Sequence, residues 1–172
     1  YRDLLKEYPT YPVISFRLGQ SFLSVNKFEE SRSQLKRCRT NIGRLSGFPV
    51  NKREISLPDQ ELERIEVGLY KMLGLAYWKE ACVLYKQSPP DLVKSKQYLG
   101  QAYKQTHQGL SAAHLTSDQR KKIINNLLFY ALEIAFLKQF TGKTAEYDKE
   151  IKDYVEELEQ DLEPQKCNDA AK

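Results

Sequence analysis

The side chains best suited to chemistry in this chain are two histidines, three cysteines and many carboxylates, and their spacing favours no active site. His107 and His114 lie seven residues apart, with no cysteine at a metal-ligand spacing from either, so a metal site is disfavoured. The sequence also contains no glycine-rich phosphate loop and no G-x-S-x-G motif. We therefore predict a protein that is not an enzyme and that needs no metal or cofactor.

The composition favours a helical globular domain. Of the 172 residues, 41% are hydrophobic and 29% are charged, which is ordinary for a folded domain of this length. The seven prolines and eight glycines gather in a few places. Long tracts are therefore left free to form helices.

Charge is distributed unevenly along the chain. The net charge is only +4, but residues 31–53 carry seven bases and no acid: Arg32, Lys36, Arg37, Arg39, Arg44, Lys52 and Arg53. Residues 146–163 are instead rich in Asp and Glu. Two interpretations remain open: two solvated faces of opposite sign, or a basic segment that meets an acidic partner, for which the chain's own C-terminal segment is a candidate.

The cysteines bear on location. Cys38, Cys82 and Cys167 are odd in number and share no metal-ligand spacing, so we expect free thiols in a reducing compartment and predict a cytoplasmic protein. The longest apolar run, residues 127–137, contains Glu133 and is too short to span a bilayer. The chain opens at Tyr1 rather than at methionine, so we expect further residues to precede it.

Start and stop signals divide the chain into helices. Pro9 ends a first helical segment, and Asn26-Lys27 marks a short turn between the next two. Pro58-Asp59 and Thr116-Ser117-Asp118 each open a long helix, and the Ser88-Pro89-Pro90-Asp91 segment separates two more. The predicted helices cover residues 12–25, 28–44, 58–87, 91–110, 117–140 and 144–162.

One short pattern occurs twice in the first half of the chain. It consists of a leucine and a glycine followed three residues later by an aromatic residue: Ser15-x2-Leu18-Gly19-x2-Phe22 and Tyr70-x2-Leu73-Gly74-x2-Tyr77. This resembles the tetratricopeptide repeat family, whose unit is a pair of antiparallel helices. In that family the glycine lets the two helices approach closely. We therefore expect a large side chain at Gly74 to destabilise the fold by about 3 kcal/mol.

The resemblance implies an all-α fold, a right-handed solenoid of helical hairpins with a C-terminal capping helix. Its predicted parts are the end of a preceding repeat (1–9), a repeat (12–45), a loop (46–57), a repeat with extended helices (58–110), a degenerate repeat with the cap (117–162) and a disordered tail (163–172). A competing match, Leu99-Gly100-x2-Tyr103, would start a unit near Val93. We favour residues 91–110 as a second helix, with Ser95, Leu99 and Ala102 on its packed face.

The resemblance also implies a concave groove lined by the first helix of each unit. The positions carried over are Val13, Phe16, Gln20 and Leu23 in the first unit, Lys71, Leu75, Trp78 and Lys79 in the second, and Asn125, Leu128 and Leu132 in the third. Lys71 is followed four residues later by Leu75 rather than asparagine, which disfavours the subtype that clamps a C-terminal carboxylate. Trp78 is either the best partner anchor or a residue that packs on the displaced turn or the final helix.

The predicted function is therefore protein binding without catalysis, with a peptide or an amphipathic helix of a partner held in the groove. One alternative is a regulatory or ligand-sensing domain of a larger protein. Another is nucleic-acid binding through residues 32–53, although only Phe48 in that segment could stack on a base. The acidic helix 144–162 is predicted to pack on the helix before it and to cover Leu128, Leu132 and Phe136.

Overall fold

The structure is a computed structural model, and it describes residues 2–46, 57–111, 115–141, 149 and 151–156. All of the regular secondary structure in these residues is helical. The helices are α1 (Arg2–Glu7), α2 (Pro12–Ser24), α3 (Phe28–Ser46), α4 (Asp59–Lys86), α5 (Leu92–His107) and α6 (Ser117–Thr141), with a 3₁₀ turn (Gln108–Ser111) after α5. Residues 151–156 are also helical and are called the C-terminal segment below.

The predicted turn between α2 and α3 is confirmed, and Asn26 makes it possible. Its φ of 59° is in the left-handed region, where asparagine is tolerated better than most residues. Two hydrogen bonds close the end of α2: Lys27 N donates to Phe22 O over 2.9 Å and Asn26 N to Leu23 O over 3.2 Å. This is the Schellman arrangement, which pairs carbonyls that a helix end leaves free.

The predicted starts of α5 and α6 are confirmed by their caps. The side chain of Asp91 accepts a hydrogen bond from Lys94 N at 3.0 Å. At α6, Gln119 N donates to Thr116 Oγ1, and Thr116 N donates back to Gln119 Oε1. Such a reciprocal box satisfies two backbone donors at once and fixes where the helix begins.

The two glycines of the repeated pattern lie at close helix–helix contacts. A Cβ on Gly19 of α2 would lie 2.7 Å from Leu35 Cγ of α3, and a Cβ on Gly74 of α4 would lie 1.9 Å from Thr106 Oγ1 of α5. Ser31 Oγ adds a buried hydrogen bond to Gly19 O. The glycines therefore position α2 against α3 and α4 against α5, as the pattern predicted.

The preferred interpretation of α5 is supported by its packing. Ser95, Leu99 and Ala102 are all buried, and Ser95 Oγ donates to Ala81 O of α4 over 2.9 Å. The face predicted for a second helix of a hairpin is thus the face that packs on α4.

The described core consists of two clusters, and α4 contributes to both. Leu62, Leu69 and Leu73 of α4 pack with Leu35 and Cys38 of α3 in the first cluster. From Tyr77 onward α4 packs with residues of α5 and α6 in the second cluster. Because α4 is long and continuous, it holds the two halves of the molecule in one arrangement.

The described C-terminal segment does not cover the exposed side of α6, where Leu128, Leu132 and Phe136 are 42–67% exposed. The rest of the helix predicted over 144–162 lies outside the described residues, so the predicted cover stays a prediction. Tyr154 of the C-terminal segment instead stacks on Tyr103 of α5 with ring centroids 3.9 Å apart, and Tyr103 Oη donates to Tyr154 O. The apolar side of the segment is therefore directed toward α5 by this aromatic pair.

Several predicted features lie outside the described residues: most of the loop at 46–57, the tail at 163–172 and most of the helix at 144–162. Among the helices that the structure describes, none is both long enough and apolar enough to cross a bilayer.

Candidate protein-binding groove

An open groove of about 780 Å³ lies between α2 and α4. Its lining residues are Val13, Phe16, Arg17 and Gln20 of α2, Pro58 just before α4, and Gln60, Glu61, Arg64, Ile65, Gly68, Lys71 and Met72 of α4. Apolar side chains line the base of the groove, and its sides carry hydrogen-bonding and charged groups. Such a lining suits a segment of polypeptide better than a small apolar molecule.

Gly68 shapes the floor of this groove. A Cβ at that position would lie 3.0 Å from Cζ of the Phe16 ring. Because glycine leaves that space open, the ring of Phe16 can extend from the first core cluster to the groove, while the residue as a whole stays 9% exposed. Any larger residue at position 68 would displace the ring.

The charge of the groove is predominantly positive. Arg17, Arg64 and Lys71 line it together with the single acid Glu61, and all four side chains are exposed. Arg17 Nη1 donates to Gln20 Oε1 over 3.1 Å, which directs the guanidinium along the same wall. A ligand that carries carboxylates would be favoured here over one that carries ammonium groups.

The structure brings together only some of the residues predicted to bind a partner. Phe16, Gln20 and Lys71 line the groove, as does Val13. Leu23 does not: it is only 4% exposed, so its assignment to an open groove is wrong. Leu23 lies two turns after Phe16 on the same buried face of α2, and a leucine side chain does not reach from the core as the Phe16 ring does.

Leu75 and Lys79 lie further along α4, beyond the lining of this groove, and both are half-buried. Trp78 is directed toward α6, where its ring meets that of Phe129 edge-on with centroids 5.5 Å apart. Its Nε1 atom is buried and has no hydrogen-bond partner within the described chain. Trp78 thus packs on α6, which is neither the displaced turn nor the final helix of the alternative interpretation.

Asn125 lies on α6 and is exposed. It is not among the residues that line the groove between α2 and α4. Near it on α6 lie Leu128 and Leu132, which were predicted to line the same surface and are exposed as well. The residues carried over from the repeat pattern are thus divided between the α2–α4 groove and the exposed side of α6.

Sequence reasoning missed Arg17, Arg64 and Met72 in the groove. The repeat resemblance placed the second unit from residue 66 onward, so the first two turns of α4 were not considered. A signal was present, because Arg64 and Gly68 precede Lys71 by seven and three residues, which is one face of a helix.

The basic segment at residues 32–53 is not one free surface. Arg32 is buried and forms an ion pair with Glu80 of α4. Its guanidinium also lies over the rings of Tyr77 and Tyr98, at 4.7 and 5.2 Å from their centroids. Arg32 therefore ties α3 to α4 and α5 and its own charge is neutralised internally, whereas Lys36, Arg37 and Arg44 are exposed.

The two cysteines in the described ranges differ in their surroundings. Burial raises the pKa of the Cys38 thiol to about 12. The pKa of Cys82 is also raised, first by partial burial and then by the carboxylate of Glu133, against an opposing effect of Lys86. Neither is activated for nucleophilic chemistry, which requires a lowered pKa. In the described part of the chain, no three His, Cys, Asp or Glu side chains lie close enough together to hold a metal ion.

Comparison with known proteins gives no relative: no protein-family model matches the chain, and no curated protein or solved structure is significantly similar to it.

Proposed function

We propose that this protein is an interaction module that binds a peptide segment of a partner protein in the groove between α2 and α4. The observation that carries the proposal is the groove itself, in which Phe16, Gln20 and Lys71 lie together. These residues come from two helices that are far apart in sequence. The repeat resemblance assigned them independently to one binding surface.

An extended segment suits the lining of this groove. A peptide in extended form keeps its backbone N–H and C=O groups unpaired, so it needs polar partners along its path. Gln20, Arg17 and Lys71 offer such partners on the walls, while the ring of Phe16 and Met72 offer apolar contact beneath. The excess of basic groups favours a segment that carries acidic residues.

The arrangement of the helices supports a tetratricopeptide-like solenoid as the proposed architecture. Two hairpins with a glycine at the close approach, α2–α3 and α4–α5, follow one another in the chain. The helices α2 and α4, the first of each hairpin, are the two that line the groove. In a solenoid of this family the binding surface is built by the same helices.

A peptide-display selection tests the proposal. Random peptides would be selected on the native protein and then counter-screened on the double variant Arg17→Glu with Lys71→Glu. A matched control, Lys104→Glu, changes an exposed lysine of α5 away from the groove. We expect enriched peptides with acidic residues that bind the native protein and the control equally.

The charge reversal should weaken these peptides at least tenfold, or by about 1.4 kcal/mol or more, since two favourable contacts become repulsive. Selected peptides that bind the double variant as well as the native protein would contradict the proposal. So would a selection that enriches none.

A further inference from the structure

A second surface, distinct from the groove, lies on α6. Five large apolar side chains of this helix are 42–67% exposed: Leu128, Phe129, Leu132, Phe136 and Phe140. We call them the α6 apolar face. Single exposed apolar residues are common on proteins, but a contiguous set on one helix side is typical of a contact surface.

The α6 apolar face rests on aromatic side chains of α4. Phe129 meets Trp78 edge-on, and Tyr85 meets Phe136 and Phe140 with ring centroids 6.0 and 6.1 Å apart. Trp78 and Tyr85 are two turns apart, as are Phe129 and Phe136, so α4 and α6 run parallel along this contact. These contacts with α4 hold the three phenylalanine rings in place, so the exposed side of α6 loses little conformational freedom when a ligand binds.

Four of the five residues form a ridge with one side chain per turn: Leu128, Leu132, Phe136 and Phe140. Rows at a spacing of four residues are the ridges that fit between the side-chain rows of a second helix. The ridge spans twelve residues, or about 18 Å at 1.5 Å per residue. It therefore matches a helix of about three to four turns.

The chemistry of the face also selects a helix over an extended chain. Its exposed side chains contain only carbon, and the backbone groups of α4 and α6 are already engaged within the helices. An extended peptide placed on this face would leave its own N–H and C=O groups without protein partners. A helix satisfies its backbone internally and can present an apolar side.

The charges beside the face are basic. Among the described residues, Lys86 lies near Cys82 and Glu133 at the seam of α4 and α6, Lys79 follows Trp78 by one residue, and Lys121 precedes Leu128 by two turns of α6. The acidic group at the seam, Glu133, is half-buried and lies close enough to Cys82, with Lys86, to affect its pKa. The border is thus positively charged around an uncharged ridge.

We infer that the α6 apolar face docks an amphipathic helix of a partner protein whose apolar stripe is bordered by acidic residues. The ridge supplies the apolar contact, and Lys79, Lys86 and Lys121 attract the acidic borders. This surface is separate from the α2–α4 groove, so the inference stands or falls independently of the proposed peptide binding there.

A pair of designed peptides tests the inference on the whole chain. Each has about 15 residues, is cross-linked to hold a helix because so short a helix is otherwise marginal, and lacks tryptophan. One has leucines on one side and glutamates beside them; the other has lysines in place of the glutamates. The protein contains a single tryptophan, and Trp78 contacts Phe129, so its fluorescence reports binding at this face.

We expect the acidic peptide to change the Trp78 emission with saturation and to bind about tenfold more tightly than the basic one. Leu132→Ser should weaken it about tenfold, because a leucine that is 67% exposed would become buried in the complex. Val93→Ser is the matched control, since Val93 of α5 is 70% exposed and lies elsewhere. Lys79→Glu should reduce the preference for the acidic peptide, and Lys104→Glu should not.

Four outcomes would overturn the inference. Equal binding of both peptides would mean nonspecific apolar contact, and equal binding by Leu132→Ser and the native protein would place the site elsewhere. Concentration-dependent dimerisation that Leu132→Ser abolishes, seen by sedimentation, would make a second copy of this chain the occupant. Arg17→Glu weakens only the groove, so a loss seen with that variant would assign the peptide to the groove instead.

Discussion

Replacing Gly74 by alanine adds one methyl group at the close contact between α4 and α5. The new Cβ would lie 1.9 Å from Thr106 Oγ1 and 3.0 Å from the backbone oxygen of Ala102. Thr106 is 1% exposed, so its side chain has no open space to turn into. The α5 backbone must therefore move away from α4.

Two effects of opposite sign set the size of the change. Alanine is favoured over glycine inside a helix by about 1 kcal/mol. Overpacking a tight contact costs about 1–3 kcal/mol, and a contact that includes backbone belongs near the upper end. We expect a net loss of about 2 kcal/mol of unfolding free energy, which in a domain of this length lowers Tm by about 4–8 °C. Leucine at this position should cost more.

Gly43 provides the matched control. It lies in α3, is exposed, and has nothing within 4 Å of the position a Cβ would take. Gly43→Ala should therefore stabilise the protein by about 0.5–1 kcal/mol through helix propensity alone. The two variants should differ by about 3 kcal/mol in urea unfolding followed by circular dichroism, with equal slopes in urea.

A second test uses the double variant Gly74→Ala with Thr106→Ala. Because the methyl group clashes chiefly with the Thr106 hydroxyl, the alanine at position 74 should cost about 1 kcal/mol less in this background. A Gly74→Ala protein as stable as the parent, or stabilised like Gly43→Ala, would refute the close approach of α4 and α5. It would also remove the physical basis for the repeat pattern.

Three further predictions concern side chains that tie the helices together or lie buried between them. Arg32→Ala should lower the unfolding free energy by about 2–4 kcal/mol, because it leaves the carboxylate of its ion-pair partner on α4 poorly solvated. The control Arg37→Ala, at an exposed position, should change the unfolding free energy by less than about 0.5 kcal/mol. Equal effects of the two substitutions in thermal denaturation would contradict the role of the ion pair. Cys38 should resist a thiol reagent at pH 8 until the protein unfolds, since its pKa is raised to about 12. Because this pKa is raised in the folded state, the associated contribution to stability is complete below pH 9 and declines as the pH rises toward 12. Labelling of Cys38 as fast as that of Cys82 would show that the Cys38 thiol is not buried. Tyr154→Ala should cost about 2–3 kcal/mol through loss of the stacked ring on α5, and a melting temperature unchanged by this substitution would show that the C-terminal segment does not pack there.

The helices themselves were predictable, because the signals that begin and end them are local. Thr116 with Gln119, Asp91 with Lys94 N and the turn at Asn26 each involve residues no more than five apart. A helix boundary depends on the backbone groups of one turn. The sequence therefore contains nearly all of the information that fixes it.

A third of the groove lining was carried over from the repeat resemblance: Val13, Phe16, Gln20 and Lys71 are four of its twelve lining residues. Arg64 was missed because the resemblance did not extend over the start of α4, whereas Met72 lies within the quoted pattern at a position that the resemblance did not assign to the groove. Leu23 was assigned to the groove but is buried, because residue spacing indicates the face of a helix and not how far a side chain extends from it.

The amino-acid sequence by itself thus determined where the helices lie and which glycines mark their contacts. Only the tertiary structure decided which side of α6 stays exposed, because that helix is apolar nearly all round and its hydrophobic periodicity does not indicate one buried face. It also decided that Tyr154 stacks on Tyr103 and that Arg32 pairs with Glu80. The physical reason is that helix periodicity is a property of neighbouring residues, whereas these contacts join residues about fifty positions apart, and the packing of the whole chain sets their distance.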